Sequence, residues 1–385
     1  MKLFKSLLVA PATLGLLAPM SATANEITIN DFNPVIEETL LAGGEGLVDG
    51  HSHDGGFSET TSASFSVDFA VGAVDGMGIT TTNVDNGTEA IAAVYGFQID
   101  LTTSFTGEDS LDISIDAGNA TSTGPLGEFD LNGTTDALNV DGVSYSFPVG
   151  DKISAFVGAQ GTDGSSAFTV ACTYGGPSNT LDDCGNVQSG FGSQSGSSIG
   201  ASYAFTDEFT VAVGYAGNGV SSSSGLMTAE GLDAVGINAA YTTDTYGISA
   251  TYSSVETSLS VAGETIGYND ASVAFNGYWS PEGFPSISTG YEFTDIGGVA
   301  ETVDEKTSWF LGLQFDEIGP GSGGLAVGTQ GSITEGSDEA LMYEAYYSYP
   351  VNDGMTITPL VYAKEKTSST DEDETGVMVK TSFSF

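Results

Sequence analysis

Arginine is absent from the 385-residue sequence, and seven lysines and two histidines are the only basic side chains. With 51 acidic residues the formal net charge is −44 at pH 7. Phosphate backbones are bound by basic surfaces, so this balance excludes a nucleic-acid partner. The mature chain also has no apolar run approaching the roughly 20 residues that a membrane-spanning helix needs. These absences leave a soluble protein or a membrane β-barrel.

Histidine is nearly absent as well, which argues against catalysis. His51 and His53 occur together in the segment GHSHDGG, whereas catalytic barrels place a histidine base inside or above the barrel. Phosphate-binding and dinucleotide-binding glycine motifs are missing. A metal site at His51, His53 and Asp54 is conceivable, but a solvated linker is favoured because a metal site needs ordered ligands. We therefore expect no enzyme, no cofactor and no metal.

The two cysteines are Cys172 and Cys184, twelve residues apart. Both fall in one predicted loop of a chain that we expect to be exported, and disulfides persist in oxidising compartments. A disulfide is therefore predicted. Zinc is disfavoured because two cysteines without a nearby histidine cannot fill four coordination positions.

Both ends of the chain indicate export to an outer membrane. Lys2 and Lys5 precede a short apolar stretch, and an A-x-A motif predicts cleavage between Ala24 and Asn25. At the other end apolar and polar residues alternate up to the terminal Phe385. This resembles the C-terminal signal strand that the barrel-assembly machinery reads, although an ordinary strand could also end in phenylalanine. We expect a signal peptide over 1–24, a periplasmic extension over 25–56 and a barrel over 57–385.

Alternation of period two predicts the strands of that barrel. On the first strand, Phe65, Val67 and Phe69 share one face, while Ser66 and Asp68 share the other. We expect lipid contact for one set of side chains: Val67, Phe69, Tyr95, Phe97, Ile113, Tyr215 and Leu311. Short turns, which mostly follow an aromatic residue, alternate with long polar loops. The fold class is therefore all-β, a transmembrane antiparallel up-and-down barrel of about 16 strands, with outer-membrane lipid around it.

The connections predicted on the two sides differ in length, as in outer-membrane barrels. Asp316 to Gly324 is among the segments assigned to a turn. The opposite side carries long loops, predicted over Asp75–Thr88, Asn119–Asp136, Gln160–Ser197, Gly217–Asp233, Ser253–Asn269, Thr294–Glu305, Ser332–Ala340 and Lys364–Glu374. A barrel of this size can leave an aqueous channel.

Two segments of Phe57–Ala117, FSETTSASFSVDFAVGAVDG and YGFQIDLTTSFTGEDSLDISIDAG, together with the strand Gly200–Phe205, resemble cyanobacterial porins. Those proteins belong with the carbohydrate-selective OprB-type porins and are often labelled iron-uptake porins. The resemblance implies a passive channel and a homotrimer. Its members usually carry an S-layer-homology domain and a coiled coil before the barrel. This chain departs from them, with about thirty mature residues there by the cleavage rule.

Analogy with 16-stranded porins also implies that the loop Gln160–Ser197 folds inward and narrows the channel. Asp163, Asp182 and Asp183 would then lie at the constriction, held by Cys172 and Cys184. The alternative is a surface loop.

The inner face of the predicted strands is acidic, which favours cations. Its charged residues are predicted to be Asp68, Asp100, Asp112, Asp116, Asp270, Glu292, Glu344, Lys152 and Lys380. We therefore expect a cation-preferring porin for small hydrophilic solutes and inorganic ions. The alternative explanation of the charge is a solvated, salt-adapted surface, of which the acidic run Asp371–Glu374 is an example. A sugar-selective porin and a structural or adhesive barrel with a closed lumen remain alternatives.

Overall fold

The computed structural model of the chain describes residues 60–77, 90–185, 195–217, 225–228, 232–261, 264–297, 305–366 and 372–385. Among these residues seventeen strands form one antiparallel sheet, and all but the two-residue β14 make up the wall. The predictions for the leader, the Ala24–Asn25 cleavage site, the periplasmic extension and His51, His53 and Asp54 lie outside the described residues. No helix in the described part of the chain is both long and apolar enough to span a membrane.

The strands follow one another around the barrel in chain order. Their bounds are β1 Thr61–Asp75, β2 Ala92–Thr103, β3 Ser110–Gly118, β4 Asn139–Val149, β5 Ile153–Asp163, β6 Ser195–Ala204, β7 Phe209–Gly217, β8 Asp233–Thr242, β9 Tyr246–Val261, β10 Glu264–Trp279, β11 Ser286–Ile296, β12 Glu305–Ile318, β13 Gly321–Thr329, β14 Ile333–Thr334, β15 Leu341–Asn352, β16 Met355–Lys364 and β17 Glu374–Ser384. Sixteen wall strands confirm the predicted fold class.

The barrel closes where β1 pairs with β17. Val67 lies opposite Phe383, and Asp75 lies opposite Thr375 at the far end of the ladder. Beyond the last pair, Phe65 and Phe385 exchange backbone hydrogen bonds of 3.0 Å in both directions, and their rings stack 5.8 Å apart. In the described part of the chain, closure gives every wall strand a neighbour on both sides along the body of the barrel, which is the condition that lipid imposes on backbone amides and carbonyls.

The two faces of the wall differ as the alternation predicts. On β1 the side chain of Phe69 is 53% exposed, whereas that of its neighbour Ala70 is 3% exposed. The outer face carries large apolar side chains all round the barrel, among them Val157, Ile199, Val213, Ile237, Ile248, Phe275, Tyr291, Leu311, Leu325, Val361 and Val377. This face suits lipid, because nothing else in the described chain covers it.

Aromatic residues near the rim that carries the long loops are held by carboxylates. The phenol of Tyr95 donates to Asp136 Oδ1 over 2.8 Å, and the indole of Trp309 donates to Glu339 Oε1. The same arrangement recurs at Tyr215 with Asp233 and at Tyr343 with Glu365. Interfacial tyrosine and tryptophan orient a polar tip toward water in this way.

Two predicted connections are wrong. The segment predicted as the loop Ser253–Asn269 instead continues β9 to Val261 and starts β10 at Glu264. The predicted turn over Asp316 to Gly324 shrinks to the residues between Ile318 and Gly321, because β12 and β13 extend across a bulge. In both cases polar and glycine-rich residues form strand, since backbone pairing does not depend on an apolar face.

The assignment of alternate β1 side chains to the outer and inner faces leads to a prediction about stability. Phe69→Arg places a charge at mid-strand on the outer face, and we expect it to cost about 2–4 kcal/mol of folding free energy in a bilayer. Phe69→Leu keeps the apolar contact and should cost much less, and Asp68→Arg should assemble because its side chain faces inward. Urea unfolding in lipid vesicles measures all three. Normal stability of Phe69→Arg together with failure of Asp68→Arg would invert the assignment of faces.

A second prediction concerns the short turn between β2 and β3. Asp109 Oδ1 accepts hydrogen bonds from Ser104 Oγ, Phe105 N, Thr106 N and Thr106 Oγ1 at 2.7–2.9 Å. Its Oδ2 accepts one from the Tyr145 hydroxyl at 2.7 Å. These hydrogen bonds lower the pKa of the Asp109 carboxyl below its ordinary value. The bond from Tyr145 has the largest effect, and the donors of the turn add to it.

A depressed pKa means that Asp109 stabilises the fold above the unfolded-state pKa of about 3.9 and that this contribution is lost as the pH falls further. Asp109→Asn should therefore be less stable than wild type at neutral pH, and the difference should shrink below about pH 4. Urea midpoints across pH 3–7 test this. Asp207→Asn, an exposed change in another short turn, is the control. A difference that persists unchanged at pH 3 would contradict the prediction.

Candidate functional site in the barrel interior

Small and polar side chains cover the inside of the wall. Their alternation with the outer apolar residues follows from the two-residue period of a strand. Most are buried, including Ser198, Asn238, Ser249, Thr251, Ser253, Ser272, Ser286, Ser288, Ser308 and Thr358. A wide barrel whose inner side chains are inaccessible must contain other chain segments, and two loops supply them.

The first inward loop comprises residues 119–138 and connects β3 to β4. It contains a short 3-10 helix, Gly127–Phe129, and its Leu126 and Phe129 are 2% and 3% exposed. Both belong to a buried cluster with the inner-wall residues Ala70, Val74, Leu360, Tyr362 and Met378. A Cβ on Gly118 would lie 2.1 Å from Asn132 O, so glycine permits the close approach of loop and wall. This loop therefore lies over β1–β2 and β16–β17.

The second inward loop comprises residues 164–194, of which the structure describes those up to 185. Its extended part runs across the inner face of the wall. Every second backbone amide of this part donates a hydrogen bond to a wall side chain. Thr169 N donates to Asn238 Oδ1 over 3.0 Å, Ala171 N to Ser249 Oγ over 2.9 Å, and Thr173 N to Ser288 Oγ over 2.9 Å. These bonds satisfy backbone groups that burial would otherwise leave unpaired. The loop is thus bound in turn to β8, β9 and β11.

A buried tyrosine fixes the same loop at β12, β13 and β15. Tyr174 is 2% exposed, and its hydroxyl donates to Glu344 Oε1 over 2.5 Å. Its ring centroid lies 5.2 Å from that of Phe310, and Tyr346 donates its hydroxyl to Gly175 O over 3.0 Å. A Cβ on Gly176 would lie 2.2 Å from Glu344 Oε1. A side chain at residue 176 would therefore displace Glu344 and Tyr174 from the hydrogen bond that they share.

The predicted disulfide is present between Cys172 and Cys184, with the two Cα atoms 6.1 Å apart. Cys184 is fully buried, and Cys172 lies between the wall-bound residues Ala171 and Thr173. The bond ties the end of the described loop back to the segment that crosses the wall. It therefore closes a small ring of chain inside the barrel.

The predicted constriction residues occupy different positions along this loop. Asp163 ends β5 and caps the 3-10 helix Gly164–Ala167, accepting from Ser165 N at 2.8 Å and Ser165 Oγ at 2.6 Å. Asp182 and Asp183 are half-buried in the short helix Asp182–Gly185. Asp183 adopts a left-handed φ of 46°. Their role at a constriction stays a prediction.

The eight predicted pore-lining residues all lie on the inner face of the wall, but they fall into two groups. Half-buried are Asp68, Asp100, Asp112, Asp270 and Lys380. Buried, at 4–7% exposure, are Asp116, Glu292 and Glu344. The second group has limited access to water, because other parts of the chain cover these residues. A pore-lining role for each residue stays a prediction.

The structure brings Asp100 and Asp112 together on β2 and β3. Asp100 Oδ1 accepts from Gln98 Nε2 at 2.7 Å and from Ser114 Oγ at 2.5 Å, while Asp112 Oδ1 accepts from Thr102 Oγ1 at 2.9 Å. Because Asp100 pairs with Ser114 and Thr102 pairs with Asp112, the two carboxylates are diagonal neighbours. This pair gives one side of the lumen an acidic surface.

The lysines differ from the sequence prediction. The prediction that Lys152 lies on the inner face is wrong, because this residue lies in the exposed turn before β5. Its Nζ donates to Phe205 O and lies 5.9 Å from the centroid of the outward Tyr203 ring. Lys380 is on the inner face, 5.5 Å from the Phe129 centroid. Lys306 and Lys364 also have inner-face parity and were missed. Continuing the alternation past Trp309 and Val361 would have found both.

No protein-family model matches the sequence, and no curated protein matches it. Among solved structures, OprB of Pseudomonas putida has a TM-score of 0.60 at 11% identity, covering 85% of this chain and 94% of that one. An anion-selective porin from Comamonas acidovorans has a TM-score of 0.57 at 13% identity, covering 85% and 99%. A mutant porin of Rh. blastica has a TM-score of 0.52 at 16% identity, covering 84% and 100%. At such identities the likeness shows the fold, and the fold is that of a porin-type barrel.

The fit at Gly176 predicts the effect of a single methyl group. Gly176→Ala should push the Tyr174 and Glu344 side chains apart and loosen the second inward loop from the wall, since a Cβ there would lie 2.2 Å from Glu344 Oε1 and 2.6 Å from Tyr174 Cε1. Chymotrypsin should then cut the loop after Phe168 or Tyr174 faster than in wild type, in protein reconstituted in lipid. Gly175→Ala is a matched control, because a Cβ there meets nothing within 4 Å. Equal cleavage of the two variants would show that the loop is not seated as described.

Proposed function

We propose that this protein is an outer-membrane porin, a passive diffusion channel for small hydrophilic solutes and inorganic ions that prefers cations. The proposal rests on the contrast between the apolar outer face and the largely polar inner face of one closed wall. Phe69 and Ile248 expose apolar side chains outside, while serine, threonine, asparagine and carboxylates cover much of the inside, apart from an apolar cluster beneath the inward loops. A soluble protein would gain nothing from an apolar exterior around a polar interior, whereas a membrane channel requires both.

Cation preference rests on the balance of charge along the inner face. Asp68, Asp100 and Asp112 are half-buried on neighbouring strands. Of the inner-face lysines, Lys380 lies over the Phe129 ring, Lys364 is paired with Glu128, and Lys306 lies at the start of β12. A carboxylate about 6 Å from a passing ion contributes about 0.7 kcal/mol in water before screening, or about threefold in local cation occupancy. Several such groups on one side of a narrow lumen favour cations.

One observation favours the alternative of a structural barrel with a closed lumen. The inward loops fill much of the interior and leave Asp116, Glu292 and Glu344 buried. Sugar selectivity has less support, because the inner aromatic rings of Phe156, Phe310 and Tyr362 are themselves buried. The proposed channel would run between the loops and the wall that carries the acidic pair of β2 and β3.

The proposal includes the remaining expectations from the sequence. The chain would be exported with cleavage after Ala24, and the barrel-assembly machinery would read the strand that ends at Phe385. Assembly as a homotrimer, which the resemblance implies, belongs to the same proposal.

Single-channel recording in planar lipid bilayers tests the channel itself. Wild-type protein should produce discrete conductance steps, and a sealed barrel would produce none. Reversal potentials across a KCl gradient then test selectivity. We expect Asp100→Asn with Asp112→Asn to lower the K⁺ to Cl⁻ permeability ratio by several fold, up to about tenfold if each carboxylate contributes about threefold.

Glu372→Gln with Asp373→Asn is the matched control, because it removes two exposed charges from the last long loop. At about 1 M salt the Debye length is about 3 Å, so these distant charges should hardly affect an ion in the lumen. Selectivity that vanished at high salt, or that followed the loop variant alone, would overturn the assignment to the inner wall.

A further inference from the structure

The two inward loops meet at Glu128, which lies in the 3-10 helix of the first loop. Its carbonyl oxygen accepts a hydrogen bond from Asn179 N at 2.7 Å. Its carboxylate accepts from Thr180 N at 3.2 Å and from Thr180 Oγ1 at 3.2 Å. Asn179 and Thr180 belong to the second loop. Glu128 therefore binds the second loop through both its backbone and its side chain.

The same carboxylate is ion-paired with Lys364 Nζ. Lys364 is the last residue of β16, and its Nζ also lies 6.0 Å from the Tyr362 ring centroid. The paired side chains are 19% and 10% exposed. The first inward loop, the second inward loop and the wall are thus joined at this largely buried ion pair. Glu374, which lies opposite Lys364 in the β16–β17 ladder, is a second carboxylate beside the same lysine.

The charge on Glu128 has to be compensated from the wall. Neither inward loop contains a lysine, arginine or histidine. A buried carboxylate without a cationic partner is strongly disfavoured, because it has given up its hydration. The position of Lys364 therefore decides whether Glu128, and with it both loops, can remain in the interior.

Resting on the proposed channel function, we infer that Glu128 and Lys364 form a clamp that positions both inward loops and sets the free cross-section of the channel. They act as positioning residues, since their contacts are to loops and wall. The first loop covers the β16–β2 side and the second covers β8 to β15. Opening the clamp would release the contact of Glu128 with Asn179 and Thr180. Tyr174 and the disulfide would still hold the rest of the second loop.

Lys364→Met tests the clamp by leaving the Glu128 charge uncompensated. We expect the ratio of closed to open loop arrangements to fall by about 100-fold or more, because losing one partner of a buried ion pair leaves the other charge uncompensated. Single-channel dwell times should show this as a more populated state of higher conductance. Lys152→Met, which removes the same charge from an exposed turn, should behave as wild type.

Rescue separates positioning from general destabilisation. Lys364→Arg keeps the charge and should retain wild-type gating. The double variant Glu128→Gln with Lys364→Met removes both charges while the glutamine oxygen can still accept from Thr180, so it should return toward wild type. Conductance of Lys364→Met that equals wild type, or failure of the double variant to recover, would overturn the clamp.

If Lys364→Met does not assemble, Glu128→Gln alone decides the question. It should open the channel by a smaller factor, because Lys364 at the strand end can reach water, and unchanged gating would refute the proposal. A wild-type protein that forms no channel would instead refute the proposed function. Chymotrypsin cleavage after Phe129, the buried neighbour of Glu128 in the first inward loop, compared between wild type and Lys364→Met, would then still test the clamp: faster cleavage supports it and equal cleavage overturns it.

Discussion

A chain in lipid cannot leave its backbone amides and carbonyls unpaired, and the rest of this structure depends on that constraint. The pairing of β1 with β17 meets it for the wall, and the exchange between Phe65 and Phe385 completes it at the chain end. Once the sheet is closed, side chains can point only outward or inward. The contrast between Phe69 and Ala70 is the direct result.

The same constraint operates a second time inside the barrel. Loop segments that enter the lumen carry backbone groups away from bulk water, and the wall supplies partners for them. Asn238, Ser249 and Ser288 accept from successive alternate amides of one loop. The polar interior is therefore more than a lining for solute, because it is also the surface on which the loops fold. Because some inward side chains bind the loops, the number that can face an ion is smaller than the number that point inward.

Much of the wall could be predicted from sequence because a strand has a period of two. Phe69 and Asp68 are neighbours, and their opposite faces follow from local alternation alone. The disulfide was predictable too, since an exported chain meets an oxidising compartment and the sequence has only two cysteines, both in one predicted loop. The first inward loop was not, because nothing in residues 119–138 distinguishes a loop that folds inward from one that faces solvent. The contact between Glu128 and Lys364 joins residues 236 positions apart, and only the closed barrel brings them together.

The strands β9 and β10 extend well past their neighbours. Beyond Val255 and Asp270 they pair with each other alone, for about six residues each, or about 20 Å of ribbon. On the outer edges of this ribbon no described strand pairs with the backbone. Those edges therefore need water as a partner, so the ribbon has to stand clear of the hydrocarbon layer that the paired wall can occupy.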